Sequence, residues 1–260
     1  MRKTILIAAV LATAAGSAVA QPAATDSPHT LTGNLTVATD YRFRGLSQTF
    51  RGPTVQGGFD YSHVSGLYLG NWNSSVSTTQ FNNGAGIEMD FYGGYKWKLG
   101  GDLTADVGLL YYYYPGARYA GNNEKYNNAE LYVGGSWKWL SAKYSYGLTD
   151  FFGLNTTTAA AGTGTGDSKG SGYLDLTGSW PITEKTTVSA HVGRQMVKNY
   201  GAYNYNDYRL GIAHDIGFAT VGLSWYKTNA SSALYSATNA NGSVKQLGEG
   251  GLVLSVAKTF

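Results

Sequence analysis

Charged side chains at every second position are the feature of this sequence with the clearest chemical use. In the run IEMDFYGGYKW (87–97), apolar and aromatic residues alternate with Glu88, Asp90 and Lys96. A β-strand places such alternating residues on opposite faces, so the charged side chains share one face. If strands of this kind close around a cavity, the charged face lines it and sets an electrostatic barrier for ions.

The same alternation recurs along the chain and yields a set of candidates for the lining of a pore. Acidic and basic side chains are mixed in the set, so it predicts no ion preference. Its members are Asp40, Arg42, Arg44, Asp60, Glu88, Asp90, Lys96, Asp106, Glu130, Lys138, Lys143, Asp175, His191, Asp207 and Arg209. The alternative is that these groups pair across neighbouring strands and fill a narrow lumen, which leaves the barrel occluded.

A small basic cluster lies near the first long connection. Arg42 and Arg44 precede this connection, and Arg51 lies within it. Such a cluster can draw anions toward the mouth of a pore. The other two possibilities are contact with the phosphates of lipopolysaccharide and pairing with acidic residues of the lumen.

One pair of residues has a spacing that a hydrolase could use. Ser189 and His191 share a strand face, as the nucleophile and base of a lipid-hydrolysing barrel would. Their face is the inward one, opposite Val188 and Val192, where lipid has no access. The four histidines are scattered, and the stretch GTGTG (162–166) lacks the Lys-Ser/Thr of a phosphate-binding loop. We therefore expect no catalytic site, metal or cofactor.

Period-two alternation organises the whole chain from Leu31 onward into twelve segments. Each is near the nine to eleven residues that a tilted membrane strand needs. The sequence thus predicts an all-β fold: a transmembrane, antiparallel, up-and-down β-barrel of twelve strands, to within two, over residues 31–260. An apolar outward face fits lipid, and closing the sheet satisfies its backbone groups there.

The connections between these segments alternate in length. The predicted long ones are 45–53, 77–86, 115–125, 153–170, 198–204 and 229–247, and the short ones are 64–66, 99–101, 140–141, 183–185 and 215–217. Outer-membrane barrels have short periplasmic turns and longer external loops. The stretches 156–170 and 229–243 are small and polar, which indicates mobile surface loops.

Composition supports the same fold. The chain is only 13% charged, lacks cysteine, and contains 36 Gly, 21 Tyr and 6 Trp. Aromatic residues concentrate near segment ends, for example Tyr41 with Phe43 and Trp137 with Trp139, as in the interfacial belts of membrane barrels. Mean hydropathy is slightly negative, which excludes a protein built of membrane-spanning helices.

The first twenty residues resemble a secretory signal peptide. Arg2 and Lys3 precede an apolar run (5–15), and a small-x-small site ends at Ala20. We expect cleavage after residue 20 and a flexible lead over 21–30. Cleavage removes two positive charges and no acidic residue, which lowers the formal net charge from +3 to +1. A chain so nearly neutral is not expected to bind nucleic acid.

The last segment ends on an aromatic residue, Phe260. This ending is similar to the insertion signal that the barrel assembly machinery reads on outer-membrane proteins. The sequence therefore predicts a porin-like channel in the bacterial outer membrane that passes small hydrophilic solutes or ions. Its other partners would be membrane lipid and lipopolysaccharide, with homo-oligomers left open. The alternative function is an occluded structural barrel whose external loops bind a partner.

Several blocks resemble the TorF family of proteobacterial porins. The opening block is TDYRFRGLSQT (39–49) followed by 53–76, and MDFYGGYKWKLG (89–100), AELYVGGSWKWL (129–140) and LDLTGSWPIT (174–183) resemble later blocks. The resemblance covers most of the chain after the signal. It implies an outer-membrane barrel with a pore function and supplies no catalytic residues.

Overall fold

The computed structural model describes residues 27–81 and 84–260. The predicted signal peptide (1–20) and the first part of the predicted lead (21–30) lie outside the described residues. Within them, no helix is long and apolar enough to cross a membrane.

Sixteen strands and two short 3-10 helices make up the described regular structure, and the first strand begins two residues before the predicted start at Leu31. The 3-10 helices are Phe151–Gly153 and Gly201–Tyr203. The strands are β1 (His29–Ala38), β2 (Arg42–Phe43), β3 (Leu46–Ser47), β4 (Thr54–His63), β5 (Leu67–Ser75), β6 (Ile87–Gly100), β7 (Leu103–Tyr113), β8 (Asn128–Trp137), β9 (Leu140–Gly147), β10 (Gly172–Pro181), β11 (Thr186–Met196), β12 (Tyr205–Asp215), β13 (Thr220–Thr228), β14 (Ser236–Thr238), β15 (Val244–Gln246) and β16 (Gly251–Thr259).

Twelve of these strands form one closed antiparallel barrel, which confirms the predicted fold class. From β4 through β13, each barrel strand pairs with the next one in sequence. β1 pairs with β4, and β16 pairs with β13. The barrel closes where β16 pairs with β1, with Thr36 opposite Ala257. The remaining strands form two small hairpins, β2–β3 and β14–β15. Closure leaves the barrel without a free edge, so its backbone groups pair within the sheet.

The connections keep the predicted alternation of length. The long ones are 39–53, 76–86, 114–127, 148–171, 197–204 and 229–250, and each short one has two to four residues. All long connections therefore lie at one end of the barrel. The segment 229–243, predicted as a mobile loop, includes β14 and leads into β15, so this loop is folded back as a hairpin.

The two faces of the barrel wall differ in chemistry. Leu210 on β12 is 58% exposed on the outer face, whereas Asp207 on the same strand is 2% exposed and faces inward. Because paired residues share a face, the register carries this division around the barrel. Large apolar side chains cover the outside, and polar side chains occupy the interior.

Inward-facing glycines make room for tyrosine rings in this interior. The ring of Tyr92 lies over Gly70, and that of Tyr132 lies over Gly108. A side chain at either glycine would collide with the ring opposite. The abundance of glycine in the strands, unfavourable for an ordinary sheet, thus follows from the packing of large side chains inside a small barrel.

Candidate functional site: the barrel interior

The strand candidates predicted from the sequence share the inward face of the wall. Strand pairing places Asp90 opposite Tyr112, Lys143 opposite Asp175, and Thr177 opposite His191. Because paired residues share a face, the inward-facing positions of one strand identify those of the next. The candidates on this face are Asp60, Glu88, Asp90, Lys96, Asp106, Glu130, Lys143, Asp175, His191, Asp207 and Arg209.

The other candidates lie off the barrel strands. Lys138 is in the short turn between β8 and β9, is exposed, and holds its ammonium 4.8 Å from the ring centre of outward-facing Trp137. It therefore does not face the interior with the strand candidates. Asp40, Arg42 and Arg44 are all buried, and they belong to the connection 39–53.

The connection 39–53 folds into the barrel as a hairpin. We call residues 42–47 (β2, the turn and β3) the lumen hairpin. Its two turn residues both have positive φ, 47° at Arg44 and 79° at Gly45, as a two-residue type I′ turn requires. A side chain at Gly45 would collide with Asp207 of β12 and Thr228 of β13, so the tip packs closely against this part of the wall. A non-glycine residue at positive φ is uncommon and often marks a functional position.

The Arg44 side chain joins the tip of the lumen hairpin to the opposite wall. Its guanidinium donates two hydrogen bonds to the Glu130 carboxylate, at 2.7 and 2.8 Å, and one to the Gln195 side chain at 2.8 Å. It also lies 4.3 Å from the ring centre of Tyr173. Burial alone lowers the pKa of Arg44, but the Glu130 carboxylate outweighs burial and raises it above its usual value. The Arg44 guanidinium therefore stays protonated.

A second ion pair holds the base of the lumen hairpin. Arg42 Nε contacts Asp40 at 2.6 Å, and its Nη1 donates to the backbone oxygens of Leu247 and Glu249 at 3.0 and 2.9 Å. Ser47 donates to the other oxygen of Asp40. Because Leu247 and Glu249 belong to the connection 229–250, that connection covers the hairpin from outside.

Aromatic residues pack the hairpin against β6 and β7. Phe43 contacts Tyr112 with ring centres 5.4 Å apart, and it contacts Phe152 at 5.6 Å. Tyr41 donates a hydrogen bond to Glu88. Burial, and after it the charge of Glu88, raise the pKa of Tyr41 well above its ordinary value, so the phenol remains a donor.

One expectation from the sequence is wrong here. Tyr41 and Phe43 were predicted on the outward face as part of an aromatic belt, but they are only 4% and 7% exposed inside the barrel. The physical reason is that β1 ends at Ala38 and the chain turns inward.

All three arginines of the predicted basic cluster form ion pairs with acidic residues. Arg42 pairs with Asp40, Arg44 with Glu130, and Arg51 with Glu249. Of the three possibilities that the sequence left open, the structure therefore places Arg44 on an acidic residue of the lumen. Its other partners, Gln195 and Tyr173, were missed. Gln195 could have been found by extending the parity of Ser189 and His191 along the same strand.

Nearer the short turns, a polar network surrounds His191. Its Nε2 contacts Asp207 at 3.0 Å and the Tyr173 hydroxyl at 3.2 Å, and its Nδ1 contacts Thr177 at 2.9 Å and Asp175 at 3.3 Å. Both ring nitrogens are thus bonded to groups other than Ser189. His191 is not positioned to act as a base toward that serine.

Tyrosine hydroxyls also bind the inward carboxylates of Asp106 and Asp60. Tyr68 donates to Asp106 at 2.7 Å and also contacts the hydroxyl of Tyr132. The ammonium of Lys96 lies 4.7 Å from the ring centre of Tyr68. On β4, Asp60 accepts hydrogen bonds from Tyr92 and Asn34. These contacts fix the charged side chains against the wall.

The charges are distributed unevenly around the interior. The inward charged candidates all lie between β4 and β12. In the described part of the chain, the inward positions of β13, β16 and β1 instead hold uncharged and mostly small residues, including Ser224, Gly222, Ser255, Ala257 and Thr36. The part of the wall from β4 to β12 therefore carries the charged candidates, and the part formed by β13, β16 and β1 carries uncharged and mostly small residues.

Solved structures of the same architecture are outer-membrane porins. The KdgM porin matches with a TM-score of 0.52 at 7% identity, over 88% of this chain and 98% of that chain. The NanC porin matches with a TM-score of 0.52 at 11% identity, over 89% and 99%. A further structure, the KdgM porin in complex with disordered oligogalacturonate, matches with a TM-score of 0.51 at 7% identity, over 89% and 98%. At these identities the similarity establishes the fold alone.

Sequence comparison identifies the family. No curated protein sequence matches the chain. The model of a family described as "Bacterial protein of unknown function (Gcw_chp)" matches residues 22–260, which is most of the chain. The chain therefore belongs to the Gcw_chp family of bacterial proteins.

Proposed function

We propose that this protein is a porin-like channel of the bacterial outer membrane for passive diffusion of small hydrophilic solutes or ions. The observation that carries the proposal is the division of one closed wall into an apolar outside and a polar inside. An outside of this kind is stable only in lipid, because soluble proteins avoid an apolar surface of such extent. A polar interior provides hydrogen-bonding groups to a hydrophilic solute that crosses the membrane.

Exposed aromatic residues mark both ends of the apolar surface. Trp97 and Trp137 lie toward the short turns, and Tyr111, Tyr113 and Tyr146 lie toward the long connections. Aromatic girdles at the two interfaces are typical of outer-membrane barrels. They place both ends of the barrel at the membrane interfaces, and the lengths of the connections support short turns in the periplasm and the lumen hairpin at the external mouth.

The lumen hairpin would then set the size limit of the channel. It reaches from the end of β1 to Glu130 on β8 and to Asp207 on β12, so it crosses the external half of the lumen. At the level of the hairpin, the inward residues Ala38, Tyr226 and Val253 of the neutral wall are themselves buried, so a solute that passes the hairpin would have only a narrow path. This geometry favours slow passage of small solutes.

The charged residues of the barrel interior favour a solute whose charge differs from that of the ligand bound to one structural neighbour. A KdgM porin structure contains oligogalacturonate, which is an anion. Among the strand candidates of this chain, seven are acidic and three are lysine or arginine, and the connection 39–53 adds one acidic and two basic residues, Asp40, Arg42 and Arg44. A lumen with an acidic excess repels a polyanion, so neutral or cationic solutes are the better candidates.

Sequence features support narrower proposals for the porin family and the partners of this protein. The blocks 39–49, 53–76, 89–100, 129–140 and 174–183 support membership of the TorF family of porins. Phe260, at the end of β16, supports recognition by the barrel assembly machinery. Contact with membrane lipid follows from the apolar outside, and lipopolysaccharide and a second copy remain candidate partners at the external loops and the wall.

One observation favours a second candidate function. The lumen hairpin is held by two buried ion pairs and is covered by the connection 229–250. If it never moves, the protein is an occluded barrel that presents its external loops to a partner.

Swelling of protein-containing liposomes in isotonic sugar solutions separates the two functions. We expect swelling in a pentose that exceeds the rate of protein-free liposomes, with a rate that declines steeply from pentose to disaccharide because the hairpin narrows the lumen. Folding is checked by the heat-dependent shift in electrophoretic mobility. Folded, inserted protein that gives no swelling in any sugar would favour the occluded barrel.

A further inference from the structure

The outer wall of the barrel carries a groove that none of the channel chemistry explains. It has a volume of about 640 Å³ and crosses β7 to β11 near the short turns. Outward-facing small residues, Gly135, Ala142 and Ala190, form its floor, and Trp137, Leu176 and Trp180 stand beside them. The volume is in the range of small-molecule sites.

The floor of the groove follows from the register of the strands. Gly135 of β8 lies opposite Ala142 of β9, and Gly178 of β10 lies opposite Ala190 of β11. The indole of Trp180 folds over Gly178. Where neighbouring strands place small residues side by side on the lipid face, the wall has a depression bordered by larger side chains.

The length of the groove fits one leaflet of a bilayer. Val192, at its inner end, is six residues beyond the start of β11 at Thr186. Six residues extend about 20 Å along a strand, which at the usual tilt is roughly 15 Å along the membrane normal. The apolar band of such barrels is about 25 Å tall, so the groove spans about half of it.

A cation lies beside the groove, next to its lining residue Trp137. Lys138 directly follows Trp137 and is exposed in the short turn between β8 and β9. Its ammonium lies over the Trp137 ring. Near the same short turns, Trp139 and Trp180 pack together with ring centres 4.9 Å apart, as aromatic residues do at the headgroup level.

We propose that this groove binds one anionic glycerophospholipid of the periplasmic leaflet, with an acyl chain along Gly135, Ala142 and Ala190 and the phosphate beside Lys138. The proposal rests on the membrane location given under the proposed function. Charge complementarity and the one-leaflet length select a lipid over a second copy of the barrel. A two-fold interface centred on the groove would place groove against groove and leave the depression unfilled.

Native mass spectrometry of the folded barrel in detergent tests the proposal directly. The probes are phosphatidylglycerol and phosphatidylcholine with identical acyl chains. We expect one tightly retained phosphatidylglycerol per barrel. Lys138→Gln should reduce the preference for phosphatidylglycerol over phosphatidylcholine about fivefold, because one ammonium near the phosphate is lost. Ala142→Phe should reduce retention of both lipids about tenfold, because the ring fills the groove.

The matched control is Ala129→Phe, which adds the same ring to the outward face of β8 at its opposite end. This variant should retain lipid as the parent does. Equal retention by Ala142→Phe and the parent would overturn the proposal. So would a dimer that disappears in Ala142→Phe, because a second copy would then occupy the groove. Lipid retention by a barrel that does not conduct would contradict the channel and leave the lipid site intact.

Discussion

Excision of the lumen hairpin is expected to increase the single-channel conductance severalfold. In the variant, two glycines replace residues 42–47 and join Tyr41 to Gln48. The backbone N–H of Gln48 already donates to the carbonyl of Tyr41 at 2.8 Å, so a two-residue turn closes the gap without moving the wall. Conductance should rise because the hairpin occupies the external half of the lumen.

The control for this excision shortens a loop outside the lumen. Residues 157–165 can be replaced by two glycines in the same way, because the N–H of Thr156 donates to the carbonyl of Gly166. That variant should conduct as the parent does. If both variants match the parent, the hairpin does not obstruct the path and the size limit lies elsewhere.

Loss of one partner of the Arg44–Glu130 pair is expected to release the lumen hairpin. Arg44→Met leaves the Glu130 carboxylate, 3% exposed, without its cation. Removing one member of a buried ion pair typically costs about 3–5 kcal/mol, so the docked hairpin should be destabilised by a similar amount. The double variant Arg44→Met/Glu130→Leu removes both charges and should recover most of this loss.

Cysteine labelling measures this release, because the chain contains no cysteine of its own. Thr228→Cys places a thiol on the inward face of β13 beneath Gly45, where Thr228 is 6% exposed. Adding Arg44→Met should accelerate labelling by a water-soluble thiol reagent about 10²- to 10³-fold, and the double variant should label slowly again. Equal labelling rates with and without Arg44 would contradict the role given to this pair.

Much of the barrel could be predicted from the sequence because a strand with one face in lipid and one in a polar lumen must alternate. The alternation of Met89 and Phe91 with Glu88 and Asp90 gave both the strand and its inward face. The lengths of the connections then gave the direction of the strands. These signals are local, and neither depends on which residues meet in space.

The lumen hairpin could not be predicted because it continues the same alternation. Tyr41 and Phe43 alternate with Arg42 and Arg44 whether the chain continues in the wall or turns inward. The decisive conformation is the positive φ of Arg44, for which arginine gives no signal, and only Gly45 pointed to a turn. The pattern therefore predicted the right inward side for the arginines and the wrong environment for the aromatic residues.

Pairings across the lumen were also beyond the sequence. The partners of His191 come from β10 and β12, and they meet only when the register of three strands is fixed. Similarly, Lys138 follows the inward parity of β8, but its own positive φ of 54° ends the strand and turns its side chain to the surface. Register and turn conformation thus decided which candidates meet.

Conduction through the polar interior of this barrel can be measured by single-channel recording in a planar bilayer under a salt gradient. The protein is refolded from residue 21 onward, and its insertion is verified independently. We predict discrete conductance steps, with a reversal potential that favours cations because acidic residues are in excess on the inward face. Silence from folded and inserted protein, both as the parent and without residues 42–47, would contradict the channel and leave a closed barrel that presents its loops.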